Sequence, residues 1–473
     1  MDDLPAEIIL IVGSHVSDVD RLRLLQVCRR WRALFFELAY SHVNIEGPQI
    51  EPLTKVILAN LRIGAAIRNL SVRWWHSYID YHPQQRESDD NLPEKAEELV
   101  GQISRSPEEQ KDWIDHLRAG NQEAWLAILL TSVPNLTTLS GRYCVYAPRV
   151  TLVVARAARK EPPFDTRPVL QRLETLDITS DDMKDVYPHW QFLPFFHLPS
   201  LRDVNLGAVK EYREWTRLDH PAVASGLGTA PVESLVLESY CNGRKGMAEF
   251  ITSCANLKQF EYQHDDTEAW GESYVVFQPR KFYRALLTQK HSLEVLHLSD
   301  NGDVEGAGLD DLSEDDDGPE AYDRWFGSLA EFSQLQDLRI RVQNLLNYHD
   351  RDQGESVVLK DILPPSLKSL HMSECSGIHC AVLVPNLQGV LAHHQEKFSS
   401  LEHISIAAGV AEFVPDPQNP GCYLGQIRVA ESFRKMLVPV EKMCDGVGVK
   451  FEMTLGHLYH MASGTSHHFF SSH

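Results

Sequence analysis

His371, Cys375, His379 and Cys380 fall within one short segment and are the ligand types that a zinc ion prefers. Their spacing contains no Cys-x2-Cys pair of the kind that closes a zinc site, so no metal is expected there. Asp300-Asn301-Gly302-Asp303 offers oxygen ligands for calcium, but without the spacing of an EF-hand loop. Cys28 precedes Arg29 and Arg30, which would lower a thiol pKa, yet it lies on an apolar stripe and reads as a packing residue. Trp74-Trp75 could stack a flat ligand; packing of core and helices is the stronger reading. The end of the chain, Ser466 to His473, is too short and irregular for a metal site and reads as a frayed terminus. No phosphate-cradling Gly-x4-Gly-Lys-Ser/Thr loop occurs, and neither do His-Glu-x-x-His or Gly-x-Ser-x-Gly. These residues point to no enzyme: no catalytic residue, cofactor or metal is assigned.

Binding is then the remaining class, and composition narrows the partner. The 473 residues carry a formal charge of −21, which disfavours nucleic acid because affinity for phosphate backbones comes from Lys and Arg. A content of 43% hydrophobic and 23% charged residues is that of an ordinary globular chain. No apolar stretch approaches the roughly 20 residues of a membrane span, and the N-terminus lacks the regions of a signal peptide. The 8 cysteines are scattered without a disulfide framework, as in a reducing compartment. The expectation is a protein of the cytoplasm or nucleus, binding neither nucleic acid nor membrane.

The elements that must do the binding begin at the N-terminus. Pro5 suits the first turn of a helix, where its missing N–H would be an orphan, and Glu7 stands near the positive end of the dipole. Leu4, Ile8 and Ile11 recur at helical spacing, and Leu24, Val27, Trp31, Leu34 and Leu38 repeat the period. Two or three short helices result. So few residues cannot bury such stripes; the rest of the chain or a partner must cover them.

Leu4-Pro5-x-Glu7-Ile8, followed by Val27-Cys28-Arg29-Arg30-Trp31, resembles an F-box over residues 3–45. The resemblance implies docking onto a Skp-type adaptor, and through it onto a cullin–RING ubiquitin ligase. The adaptor-facing residues it implies are Leu4, Pro5, Ile8, Ile11, Leu24, Val27, Cys28 and Trp31. Two departures stand out: Arg21 occupies a place where the family usually has Leu, and Gly13-Ser14-His15 interrupts the apolar end of the first helix.

Behind this head one pattern recurs, an apolar residue at positions 1, 4 and 6 of a short segment. The clear copies are Leu173-Leu176-Ile178, Leu201-Val204-Leu206, Val232-Leu235-Leu237, Leu293-Leu296-Leu298, Leu335-Leu338-Ile340, Leu367-Leu370-Met372 and Leu401-Ile404-Ile406. Leu257-Phe260-Tyr262 is an aromatic variant, while Ile67-Leu70-Val72, Leu136-Leu139 and Val449-Phe451-Met453 are weaker copies. Positions 4 and 6 alternate as a strand should. Apolar segments read as helices between strands, such as Ala124 to Leu130 and Trp325 to Ala330. This resembles a leucine-rich repeat, whose polar or Cys residue three places past position 6 would be filled by Asn301 and Cys375, with Asp181 and Asp265 as stand-ins; Gln343 matches more loosely and Val209 does not fit.

The expected fold is α/β: an N-terminal helical F-box over residues 1–47, then an irregular leucine-rich-repeat solenoid over 48–460 with a curved parallel sheet and outer helices. Residues 461–473 form a tail. Insertions are expected at about 76–112, a solvated linker and a surface helix, and at about 300–320, a mobile acidic loop. The whole resembles the F-box/leucine-rich-repeat substrate receptors. That implies a substrate-recognition adaptor of a Skp–cullin–F-box ligase, with an unknown protein as target; the alternative is an interaction scaffold with a non-degradative Skp complex. With positions 4 and 6 inward, positions 3, 5 and 7 line the concave face. There the residues expected to touch the target are Asp177, Asn205, Glu238, Glu261, His297, Arg339, Arg341 and His371. The arginines on one strand would grip an oxyanion.

Overall fold

The structure, a computed structural model, describes residues 5–77, 92–179, 186–211, 227–265, 277–300, 324–346, 357–409, 411–415 and 425–456. Leu4, most of the acidic run, the start of the expected linker, Asp181, Asn301 and the 461–473 tail therefore lie outside the described residues. The chain forms two units, Met1–Leu235 with Ser253–Ala255, and Val236–Thr252 with Asn256–His473.

The first unit opens with three helices, α1 (Ala6–Ser14), α2 (Asp18–Leu24) and α3 (Arg29–Tyr40). The starts of α2 and α3 are capped by side chains: the Ser17 hydroxyl accepts from the Asp20 N–H at 3.2 Å, and the Cys28 sulfur accepts from the Trp31 N–H at 3.5 Å. Both departures from the family pattern have structural reasons. Gly13 lies against Phe35, whose ring carbon would sit 2.1 Å from any Cβ placed there. Arg21 donates to the carbonyls of Gly13 at 3.0 Å and Ser14 at 2.6 Å, satisfying the end of α1 where a cation also suits the dipole.

Ser41 alone separates α3 from the first strand, β1 (His42–Glu46). Parallel pairing continues through β2 (Asn69–Arg73), β3 (Thr138–Gly141), β4 (Thr175–Ile178) and β5 (Asp203–Gly207), each strand beside the next. Register aligns equivalent positions: Leu70, Leu139, Leu176 and Val204 lie in one row, all buried. The helix Gln122–Thr131 is buried from Glu123 onward, as the run Ala124 to Leu130 requires. In place of one surface helix after the linker there are two, Glu94–Ile103 and Pro107–Arg118. Each buries an apolar side, the first through Leu99, Val100 and Ile103, the second through Trp113 and Leu117.

The boundary between the units falls within β6 (Ser234–Cys241). The second unit then pairs β7 (Gln259–His264), β8 (Val295–Asp300), β9 (Asp337–Arg341), β10 (Ser369–Cys375), β11 (His403–Ala408) and β12 (Lys450–Leu455), again parallel and in sequence. Phe260, Leu296, Leu338, Leu370, Ile404 and Phe451 form its inward row. Two places past position 6, Trp74, Ala208 and Glu374 take left-handed backbone, with φ of 53°, 53° and 57°. The turn follows the end of β2 and of β5, and in β10 it coincides with a shift of register between Met372 and Cys375. Cys375 uses the place as the repeat pattern anticipates: its thiol, fully buried, donates to the carbonyls of Met372 and Ser373 at 3.8 Å.

Trp325 to Ala330 is not a helix. Gly327 has a φ of 140°, with the Tyr283 ring where a Cβ would be, and the N–H groups of Phe326 and Leu329 donate to Asn344 and Ile362 on neighbouring segments. An apolar run of this length cannot distinguish a buried helix from a buried extended segment; the glycine conformation decides it here.

Candidate protein-interaction surfaces

The head folds around Ile9, Leu25, Phe35 and Ala39, with Leu24 and Trp31 packed half-buried at the margin and the Trp31 and Phe35 rings edge to face at 5.6 Å. The expected stripe therefore divides. Ile9 and Gly13 are the inward residues of α1, while Ile8 is 44% and Ile11 57% exposed, and Val27 is 61% exposed. Pro5 and Cys28 are exposed with them. Val12, Val19 and Leu22, which the periodicity leaves out, are exposed as well. Exposed apolar residues concentrated on so small a module are an interaction surface by the ordinary rule for soluble proteins.

Strand alternation has the expected sense. In β9 Leu338 and Ile340 are fully buried, and Asp337, Arg339 and Arg341 are half-buried on the other side of the sheet. Register then places Glu261, His297, Arg339 and His371 side by side in one row of the second unit. The imidazole of His297 lies 3.4 Å from Glu261 on one side and 3.4 Å from Asp337 on the other. Burial opposes its charge, but the two carboxylates outweigh burial and raise its pKa; both carboxyls are held low in return. Burial pushes the His371 imidazole down to about 4, aided by the Arg339 and His297 charges.

Arg341 sits two residues further along β9 and is paired with Asp300 and Glu374. It is thus engaged within the protein. Arg339 is different: among the described residues it makes no hydrogen bond and no ion pair, and its Nε is shielded from water without an acceptor. In the first unit Asn205 donates to Asp177 at 3.1 Å, and burial raises the Asp177 pKa despite that bond. Glu238, on β6, lies at position 7 of the repeat segment that begins at Val232 and is half-buried. A cleft of about 630 Å³ in the first unit also gathers charges, but Arg149 closes on Asp112 and Glu123 there. Of the four residues in the segment 371–380, His371 lies on the open side of the sheet and Cys375 on the buried side. His379 accepts from the Ser376 N–H at 3.1 Å as part of a helix cap. The described residues contain no group of three or more side chains placed to hold a metal ion, and no helix long and apolar enough to cross a membrane.

A leucine-rich repeat domain model matches residues 94–406. The chain belongs to the leucine-rich repeat family. An F-box-like model matches residues 1–46, so this leucine-rich repeat protein carries an F-box head. No curated protein matches it. F-box domains generally bind Skp-type adaptors and leucine-rich repeats bind target proteins, which makes the F-box/leucine-rich repeat chain an adaptor with interaction repeats.

Proposed function

We propose that the chain is the target-recognition subunit of a Skp–cullin–F-box ubiquitin ligase. Its head docks a Skp-type adaptor through Pro5, Ile8, Ile11, Val27 and Cys28, with Leu4, Leu24 and Trp31 completing or supporting that surface. The observation that carries the reading is the exposure of Ile8, Ile11 and Val27 in a module whose own core is complete without them. Nothing in the fold requires these side chains to be apolar. The open side of the repeats holds the target, and transfer is done by the assembled ligase; proximity of a target lysine to the charged conjugating enzyme supplies the rate.

The test is a pull-down of recombinant Skp-type adaptor with the full chain and with Ile11→Glu combined with Val27→Glu. Loss of the adaptor with an unchanged melting curve is expected. Adaptor retained at the wild-type level would remove the assignment.

A further inference from the structure

The second unit carries two arginines on one strand, and their surroundings differ in a way that packing does not require. Arg341 is locked between Asp300 and Glu374. Arg339, on the same side of the same strand, has carboxylates within electrostatic reach, Glu261 and Asp337, yet forms an ion pair with neither. The reason is His297, whose imidazole lies between them, 3.4 Å from each of those carboxylates. The acids that would neutralise Arg339 are thereby engaged elsewhere.

Across from Arg339, in direct register, stands His371. Strand neighbours in a sheet are about 4.8 Å apart, so the two side chains rise from adjacent strands on one side. His371 also has no hydrogen-bond or ion-pair partner among the described residues, and neither of its ring nitrogens is sealed from solvent. The same holds for the terminal nitrogens of Arg339, whose Nε alone is shielded. A chain with a formal charge of −21 therefore keeps a guanidinium without an ion pair beside an imidazole without one, on the sheet side left open. A shielded Nε–H without an acceptor is costly in itself, which argues against a residue kept for stability.

We propose that Arg339 and His371 form a binding site for a phosphorylated side chain of the target, the guanidinium fork meeting two phosphate oxygens and the imidazole a third. Phosphate fits better than carboxylate because it brings nearly two charges and three acceptor oxygens to one point. A neutral imidazole can donate one N–H to it, and the bound dianion favours a second proton on that ring. The groups facing His371 are Arg339 and Asp337 on β9, His297 on β8 and His403 on β11. This inference rests on the reading of the open sheet side as the target surface.

The test uses immobilised full chain and three pools of short degenerate synthetic peptides that differ only at the centre: phosphoserine, serine or aspartate. Wild type is expected to capture the phosphoserine pool about tenfold or more over the serine pool, with the aspartate pool well below it. Arg339→Gln should abolish that preference, and Arg339→Lys, which keeps the charge and loses the fork, should fall between. Should Arg339→Gln fail to fold, His371→Gln serves in its place, with a partial loss expected. No preference for phosphoserine in wild type, equal capture of the aspartate pool, or a preference that survives Arg339→Gln would overturn the site. Equal capture of all pools that is lost in Glu261→Lys would overturn it while leaving the open side as the target surface. Adaptor pull-down reads the head independently of every one of these results.

Discussion

Two apolar stripes in this chain obey the same periodic logic and end in opposite places. In β9 Leu338 and Ile340 are fully buried, whereas in α1 Ile8 and Ile11 are about half exposed. The strand residues are covered because the adjacent repeats bring identical rows against them in register. The head has no such neighbour on that side; Ile9, Leu25, Phe35 and Ala39 complete its interior. Apolar character at a regular spacing therefore marks what must be covered. Whether the cover belongs to the same chain depends on what the topology stacks beside it.

The comparison breaks most directly by truncation on each side of it. Leu338→Ala should lower unfolding stability by about 2–5 kcal/mol in denaturant titration, since a fully buried side chain is removed and its neighbours in the adjoining strands cannot collapse into the space. Adaptor capture by the folded fraction should be unchanged. Ile11→Glu with Val27→Glu should do the reverse, weakening adaptor binding by ten-fold or more, about 1.4 kcal/mol or above, while the denaturation midpoint stays in place. A large stability loss in the second pair would mean that the exposed stripe is structural after all.

A third test sharpens the polar side of the ladder. The His371 pKa in the folded protein, about 4, lies below its ordinary value of 6.5, so the unfolded chain binds more protons between those limits. Stability from this group is fully present above pH 6.5 and is lost as pH falls toward 4. Against wild type, His371→Gln should lose on the order of 1 kcal/mol less between pH 7 and pH 4.5, measured as the difference in urea midpoints. Parallel pH curves for the two proteins would contradict the burial argument.

Within the head the effects are smaller. Gly13→Ala should cost about 1–3 kcal/mol, because a methyl there overlaps the Phe35 ring and α1 must shift from α3. Arg21→Leu restores the more usual family residue yet should lose about 0.5–1.5 kcal/mol, since the Gly13 and Ser14 carbonyls at the end of α1 lose the guanidinium N–H groups. A more stable Arg21→Leu protein would show that the capping role is not the reason for the departure.

The repeat register was legible because the spacing of positions 4 and 6 fixes which side of a strand each residue takes, and a one-residue slip would invert it. Even the weak copies at Leu70, Leu139 and Phe451 are ladder strands in the structure. The F-box head was legible from its Leu-Pro and Cys-Arg-Arg-Trp motifs. What failed was local: Trp325 to Ala330 offers no capping or periodic signal, and its backbone follows Gly327 and bonds to distant segments. Ile9, the inward residue of α1, could not be picked from four consecutive apolar residues, Ile8 to Ile11, because the choice depends on where Phe35 lies. The unequal fate of Arg339 and Arg341 was equally hidden. It arises from Glu374 and Asp300 reaching one of them and from His297 engaging the carboxylates near the other, none of which strand position reveals.

Only Ser41 stands between the last head helix and the first strand, and its carbonyl accepts from both Arg68 and Asn69, each at 2.9 Å. Arg62 lies over the Phe36 ring at 4.8 Å, closing the same corner from the side. The joint has no slack. An adaptor gripping α1 would swing β1 and β2 with it as one lever, so on the proposed function a target held beside those strands is carried along a fixed arc and does not search on a tether. Choice of the acceptor lysine then becomes a matter of distance along the target's own surface. A flexible spacer inserted after Ser41 should blur that choice before it slows ubiquitin transfer.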